Sequence, residues 1–195
     1  LSKLIQLGIF IIPPEKGELA SGLNGVGRLS SLDIITSSIQ DFLLKNMSLS
    51  GKKVLITAGP TYEKLDPVRY LGNFSSGKMG CALAYSAALR GATVDLVMGP
   101  SNEEIFHPLI NRIDIQSAHD MYNKCQEKFA LSDIVIFAAA VSDYRPIKIS
   151  NKKIKKAMLT IKSELNIDIA KTLSMKKKNQ FTVGFALETD NEDNN

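Results

Sequence analysis

The sequence predicts an α/β protein: a Rossmann-like doubly wound parallel sheet, preceded by a C-terminal fragment of another domain. Three observations point there. From Lys53 onward, apolar runs of strand length alternate with segments of helical period, and such alternation builds a parallel sheet covered on both faces, with right-handed crossovers. Gly-Pro pairs at 59–60 and 99–100 punctuate the ends of two of these runs, as turn chemistry requires. Residues 1–50 lack this rhythm and are set off by a polar stretch.

Taken in order, Ile9–Ile12 read as a short strand ending at Pro13-Pro14, followed by a loop carrying Gly17, Gly22, Gly25 and Gly27. A helix is expected from Ser31 to about Leu44, with Ser30 or Ser31 as N-cap,. Polar residues around Gly51 make 46–52 a linker between a 1–45 fragment and a 53–195 domain,. In that domain KVLITA (53–58) is a buried strand. Gly77–Arg90 is an Ala-rich helix closed by Gly91,. TVDLVM (93–98) and Arg112–Ile115 are strands, and Ser117 caps a helix running to Leu131. DIVIFAAA (133–140) is a deeply buried strand, Met158–Ile161 a short one, Ile167–Lys178 a helix and FTVGFAL (181–187) a last strand. The sequence has no initiator Met and stops at EDNN, where another helix is due, so it reads as cut from a longer protein at both ends.

Composition narrows the class. The chain has 195 residues, 44% hydrophobic and 23% charged, which is near the soluble average. Its net charge of +4 suits an anionic ligand but is too small to argue for nucleic acid. Cys81 and Cys125 stand apart and belong to no CxxC pair, which reads as reduced thiols in a cytoplasmic protein. His107 and His119 stand alone, so no metal-ligand set is evident. No apolar run reaches the roughly 18 residues of a membrane helix.

Ligands of open parallel sheets bind beyond the carboxyl ends of the strands, and the unusual residues fall there. AGPT (58–61), with Gly59, follows the first strand of the domain, VSDYRP (141–146) follows the fourth, and Glu188-Thr189 follows the last. GNFSSGKMG (72–80) opens the first helix, and its Ser75, Ser76, Gly77 and Lys78 combine free backbone N–H groups, two hydroxyls and a cation into an anion cradle,. The plainer reading is an ordinary glycine-serine helix start. The stretch is close to GxxxxGK[ST], but Met79 replaces the hydroxyl that would hold Mg²⁺ and residues 59–71 separate it from its strand, which argues against a P-loop NTPase. No GxGxxG follows the first strand and no acid follows Met98, which weakens a dinucleotide-binding oxidoreductase.

Ala138, Ala139 and Ala140 let a flat group approach the backbone. Asp143 is either a hydrogen-bond acceptor for a base or sugar or a turn residue, and Arg69 pairs either with an anion or with Asp66 at the surface. Lys152, Lys153, Lys155 and Lys156 cluster in a loop. They read as a solvated run, a nucleic-acid patch without the aromatics that stacking needs, or a flap over a triphosphate. An inert nucleotide-binding module also fits.

ITAGPTYEKLDPVRYLGNFSSGKMG (56–80), AAAVSDYRP (138–146), KKIKK (152–156) and VGFALET (183–189) together resemble phosphopantothenoylcysteine synthetase, over about residues 51–191. Residues 9–44 resemble the tail of the flavin-dependent decarboxylase to which that synthetase is often fused, with 17–31 as its clamp loop. Ser21 stands where many decarboxylases carry a proton-donating Cys. FMN belongs to the decarboxylase part outside this sequence, so decarboxylation is not expected of this chain. The resemblance implies a ligase of coenzyme A biosynthesis that uses CTP and Mg²⁺ to activate 4′-phosphopantothenate as an acyl-cytidylate and then couples L-cysteine. ATP in place of CTP stays open. It implies a homo-oligomer, a dimer through the synthetase domain, with no nucleic-acid or membrane partner. It assigns catalytic roles to Asn73, Lys153 and Arg69. Nucleotide contacts are implied at Phe137, Ala138, Ala139, Asp143 and Phe185, and at a turn of Asn166, Ile167, Asp168 and Ile169, where Ile167 replaces the usual Pro.

Overall fold

The computed structural model describes residues 1–195 except 19–21, 23, 46, 156–157 and 187–195. The chain divides into two units, Leu1–Ser50 and Gly51–Asn195.

In the first unit, helix α1 (Ser2–Gln6) precedes an antiparallel hairpin of β1 (Glu15–Glu18) and β2 (Asn24–Arg28), and helix α2 (Leu32–Lys45) follows. The expected strand at Ile9–Ile12 is absent; the segment is irregular and exposed to half-buried. Pro13 and Pro14 offer no N–H to a ladder, and Pro13 instead accepts a hydrogen bond at its carbonyl from Ser30 Oγ at 2.7 Å. Ser31 Oγ accepts from Ile34 N–H at the start of α2, so Ser31 is the residue that caps. Ser21, the residue at the clamp position, lies outside the described residues.

In the second unit, strands β3 (Lys53–Ala58), β6 (Thr93–Met98), β7 (Ile110–Asp114), β8 (Ile134–Phe137) and β11 (Phe181–Gly184) form one sheet, ordered β11-β8-β3-β6-β7. All four pairings are parallel. Numbered along the chain this is 3-2-1-4-5, the doubly wound order, and its switch point lies between β3 and β8. Two small hairpins decorate the carboxyl edge: β4 (Tyr62–Lys64) with β5 (Tyr70–Gly72), and β9 (Tyr144–Pro146) with β10 (Ser163–Leu165). Neither is evident from the sequence pattern, because three-residue strands carry too short a period to read. The strand expected at Met158–Ile161 is displaced into β10.

Alternation in β3 explains the layers. Val54, Ile56 and Ala58 face helix α3 (Lys78–Leu89), which covers β3 and β6. Leu55 points to the other face, where Met121, Cys125 and Phe129 of helix α4 (Ala118–Phe129) and Ile169 and Leu173 of helix α5 (Ile169–Ser174) close the core over Val97 and Val135. Ser117 caps α4 as expected, in a reciprocal box with Asp120. The buried Glu63 adds a second acceptor there, with Oε1 taking the N–H of Ala118 at 2.8 Å, so a carboxylate sits where the helix dipole favours one. Asp168 caps α5, whose first residue, Ile169, is two residues later than the expected helix start. Burial of Cys125 pushes its thiol up to about 12, which leaves it an inert core residue.

α3 approaches the sheet closely because its buried face is Gly80, Cys81, Ala84, Ala87 and Ala88. A Cβ at Gly80 would collide with Ala58 Cβ. Gly80→Val is expected to cost about 1–3 kcal/mol through overpacking, measured as a lower urea midpoint; an unchanged midpoint would show that α3 can move away freely.

Candidate functional site

The site grows from the way β3 and β8 end. Beyond Phe137 the sheet ladder persists, with Ala140 N–H donating to Gly59 O at 2.9 Å and Thr61 N–H to Ala140 O at 3.3 Å. The expected strand 133–140 therefore ends at Phe137, and Ala138–Ala140 form an exit loop held beside Gly59–Thr61. Thr57 and Thr61, both buried, complete this attachment. Thr57 Oγ1 accepts from Ala138 N–H at 3.1 Å and Ala139 N–H at 3.3 Å, and Thr61 Oγ1 accepts from Ser142 N–H at 2.9 Å. The loop thus turns away with its amides satisfied.

A cleft of about 540 Å³ opens at this point. Phe137, Ala139, Val141, Ile167, Ile169 and Phe185 give it apolar walls, and Thr57, Ser142, Asp143, Asn166 and Asp168 give it polar ones. The turn that follows β10 is tied to the exit loop: Asn166 N–H donates to Asp143 O at 2.7 Å and Asn166 Nδ2 to Ser142 O at 2.8 Å. The Asp143 carboxylate is exposed, with no partner among the described residues. The structure therefore brings together Phe137, Ala139, Asp143, Asn166, Ile167, Asp168, Ile169 and Phe185 of the sequence candidates, while Ala138 is bonded to Thr57 and does not line the cleft. Sequence reasoning placed Thr61, Val141 and Ser142 at this edge without giving them a role, and missed Thr57 and Leu165. A threonine inside an apolar strand was the available signal for Thr57.

Other candidates lie around the rim. Asn73 Nδ2 donates to Val141 O at 2.9 Å, which fixes this side chain against a cleft residue. Ser75 and Ser76 precede α3, and their hydroxyls accept from Gly77 N–H at 3.3 Å and Lys78 N–H at 3.4 Å. Gly77 has φ 82°, and a Cβ there would meet Met98 Cε at 2.5 Å and Gly59 Cα at 3.3 Å; only glycine lets α3 begin against the end of β3. Lys78 is exposed. Lys153 lies between β9 and β10, exposed like Lys152 and Lys155. Lys156, Glu188 and Thr189 lie outside the described residues.

Arg69 pairs with Asp66, Nη1 to Oδ2 at 2.9 Å, and Asp66 is buried rather than at the surface. Asp66 also accepts from the N–H groups of Val68, Arg69 and Ile154 at 2.7, 2.8 and 3.0 Å. The Ile154 bond above all, with those of Val68 and Arg69 and the Arg69 charge, outweighs burial and holds this carboxyl below the usual carboxylate range. Asp120 is also held low: the bonds from Ser117 outweigh its burial.

A doubly wound sheet with a polar-edged cleft at its switch point defines a Rossmann-like domain, a class whose members take ligands at the carboxyl edge. Comparison makes this specific. The family described as DNA/pantothenate metabolism flavoprotein C-terminal domain matches residues 49–195, and the chain belongs to that family. Across 98% of its length it is 47% identical to a "Cysteine/Cysteine sulfinic acid decarboxylase" from an unknown prokaryotic organism, covering 55% of that protein. It is 43% identical, over 99% of its length, to "Coenzyme A biosynthesis bifunctional protein CoaBC" of Haemophilus influenzae, covering 49% of it. The chain thus spans about half the length of these curated relatives. A crystal structure of the C-terminal domain of Coenzyme A biosynthesis bifunctional protein CoaBC superposes with TM-score 0.65 and 44% identity, covering 73% of this chain and 68% of that one. Among the described residues no helix is long and apolar enough to cross a membrane.

Two measurements check the geometry. Thr57→Val keeps the volume but leaves Ala139 N–H without its acceptor, and is expected to cost about 1–3 kcal/mol by chemical denaturation, with Thr57→Ser restoring most of it. The second concerns pH. Because the folded Asp66 carboxyl titrates below the unfolded value of about 3.9, its contribution is complete above that value and is lost as pH falls through the folded pKa. The gap in urea midpoint between the unaltered protein and Asp66→Asn should therefore be constant from pH 5 to 8, within about 10%, and narrow below about pH 4. A gap that widens on acidification would refute the assignment.

Proposed function

We propose that the chain carries the phosphopantothenate–cysteine ligase activity of a coenzyme A biosynthesis protein. The observation that carries this reading is the switch-point cleft, whose lining coincides with the nucleotide contacts that the synthetase resemblance implies. Membership of the pantothenate-metabolism family and the CoaBC names of relatives support it.

In this reading a carboxylate oxygen of 4′-phosphopantothenate attacks the α-phosphorus of CTP and pyrophosphate leaves, giving an acyl-cytidylate. The amine of L-cysteine then attacks the acyl carbon, loses a proton, and CMP departs with the bonding pair. A carboxylate is a poor electrophile, and the mixed anhydride supplies the missing leaving group. The residues' part is positioning and charge neutralisation. Phe137, Ala139 and Phe185 receive the base against the exit loop, and Asp143, Asn166 and Asp168 offer hydrogen-bond partners to base and sugar. Lys153 neutralises the triphosphate and the departing pyrophosphate. Asn73, held through Nδ2, offers its amide oxygen as acceptor to an N–H of the incoming amine,. Gly59, Ser75, Ser76, Gly77 and Lys78 supply an anion-binding rim. Among the described residues no group of three His, Cys, Asp or Glu side chains could hold a metal. Magnesium is taken to enter on the triphosphate as part of the substrate, as this ion commonly does. The full-length protein is taken to be a cytoplasmic homodimer through this domain. The decarboxylase activity named for one relative is assigned to no residue of this chain.

The test is phosphopantothenate-dependent pyrophosphate release from CTP with Mg²⁺, with and without cysteine, in the full-length protein. Release should prefer CTP over ATP, and Lys153→Gln should lower it by about 10²-fold or more, as expected for a group that stabilises transition-state charge. Nucleotide binding without release would point instead to an inert binding module.

A further inference from the structure

A lysine in a loop is useful to a triphosphate only if its backbone is held in place. The loop between β9 and β10 is held at two points. Ser150 N–H donates to Leu65 O at 2.9 Å. Ile154, between Lys153 and Lys155, is gripped at both polar ends of its backbone: its N–H donates to Asp66 Oδ2 at 3.0 Å, and its carbonyl accepts from Arg69 Nη1 at 3.0 Å. Arg69 Nη1 also binds Asp66 Oδ2 at 2.9 Å, so the two side chains form one clamp. The clamp is itself anchored, since Asp66 Oδ1 takes the N–H groups of Val68 and Arg69. The Asp66 side chain is fully shielded from solvent and that of Arg69 is 42% exposed.

We propose that Asp66 and Arg69 are positioning residues that latch the lysine loop through the backbone of Ile154, setting where Lys153 stands relative to the cleft. The proposal rests on the reading of Lys153 given above, and it gives Arg69 a role through the loop rather than through contact with substrate. The latch needs a carboxylate. All four donors around Asp66 point at its two oxygens, and a carboxylate accepts on both while an amide accepts on one only. Asp66→Asn therefore turns an NH₂ group onto two donors whichever way it rotates, and charge-assisted bonds of this kind are the strong ones. The depressed Asp66 carboxyl, whose largest cause is the Ile154 N–H, agrees with this geometry.

The experiment compares the unaltered full-length protein with Asp66→Asn and Lys153→Gln by amide hydrogen exchange and by pyrophosphate release. In Asp66→Asn the Ile154 amide should exchange at least about tenfold faster, while β3, β6 and β8 stay within about twofold, because local opening leaves the core closed. Release should lose at least about tenfold in kcat with the nucleotide KM within about threefold, the pattern of an interaction felt in the transition state and not in ground-state binding. Lys153→Gln should lose release with exchange at Ile154 unchanged. If Asp66→Asn does not fold, Arg69→Met, which removes the grip on the Ile154 carbonyl but keeps the Asp66 carboxylate, should show the same loss of kcat with a smaller but measurable rise in exchange at Ile154. Unchanged exchange at Ile154 overturns the latch whatever the protein catalyses. Faster exchange with unaltered kcat overturns the positioning role. Absence of release from the unaltered protein overturns the ligase reading, and exchange then judges the latch by itself.

Discussion

Thr57 and Thr61 accept the N–H groups of Ala138, Ala139 and Ser142 as the chain leaves β8, and the cleft exists because of that exchange. A strand that leaves a sheet exposes amides that must find acceptors, and buried ones left unpaired cost about 1–3 kcal/mol each. Here β3 and the segment that follows it supply the acceptors from their side chains. The exit loop can then curve away from the sheet while staying attached to it, and the space it vacates is the cleft. Thr57, near the end of β3, and Thr61, in the segment just beyond it, are both buried.

Close backbone approach governs the opposite side of β3. Gly77 and Gly80 let α3 begin against the end of the strand, and Gly59 leaves room there for Gly99. The helix start and the β3 loop therefore share one small region. Above it stand the polar additions: the β4–β5 hairpin, seated on α4 through Glu63, and the lysine loop, seated on that hairpin's turn through Asp66. Each of these additions is secured by a buried carboxylate, Glu63 accepting one backbone N–H and Asp66 three. Short strands with little apolar surface cannot hold themselves by burial, and ionic hydrogen bonds take over that task.

Much of this was legible along the chain. Strands Lys53–Ala58 and Thr93–Met98 match their apolar runs residue for residue, and Ser117 caps α4 as its position predicts, because these features depend on local period and local capping. Eight of the proposed contact residues line one cleft because they follow strands of a single parallel sheet. Less was legible where pairing partners are distant in sequence. Ile9–Ile12 has the composition of a strand but no partner, while Ser163–Leu165 has none of that composition and pairs with Tyr144–Pro146.

The sequence by itself determined the order of the sheet strands and the helices that cover them, the edge at which the unusual residues gather, and the family to which they belong. Each of these follows from residue type and spacing along the chain. Tertiary structure decided how those residues are used. Arg69 faces an anion on either reading of the sequence, and only the fold makes that anion the buried Asp66 and adds the carbonyl of Ile154, 85 residues away. Thr57 reads as a tolerated polar residue until β8 is laid beside it. A hydrogen bond requires two groups to meet in space, and where groups distant in sequence meet is set by the packing of the whole sheet.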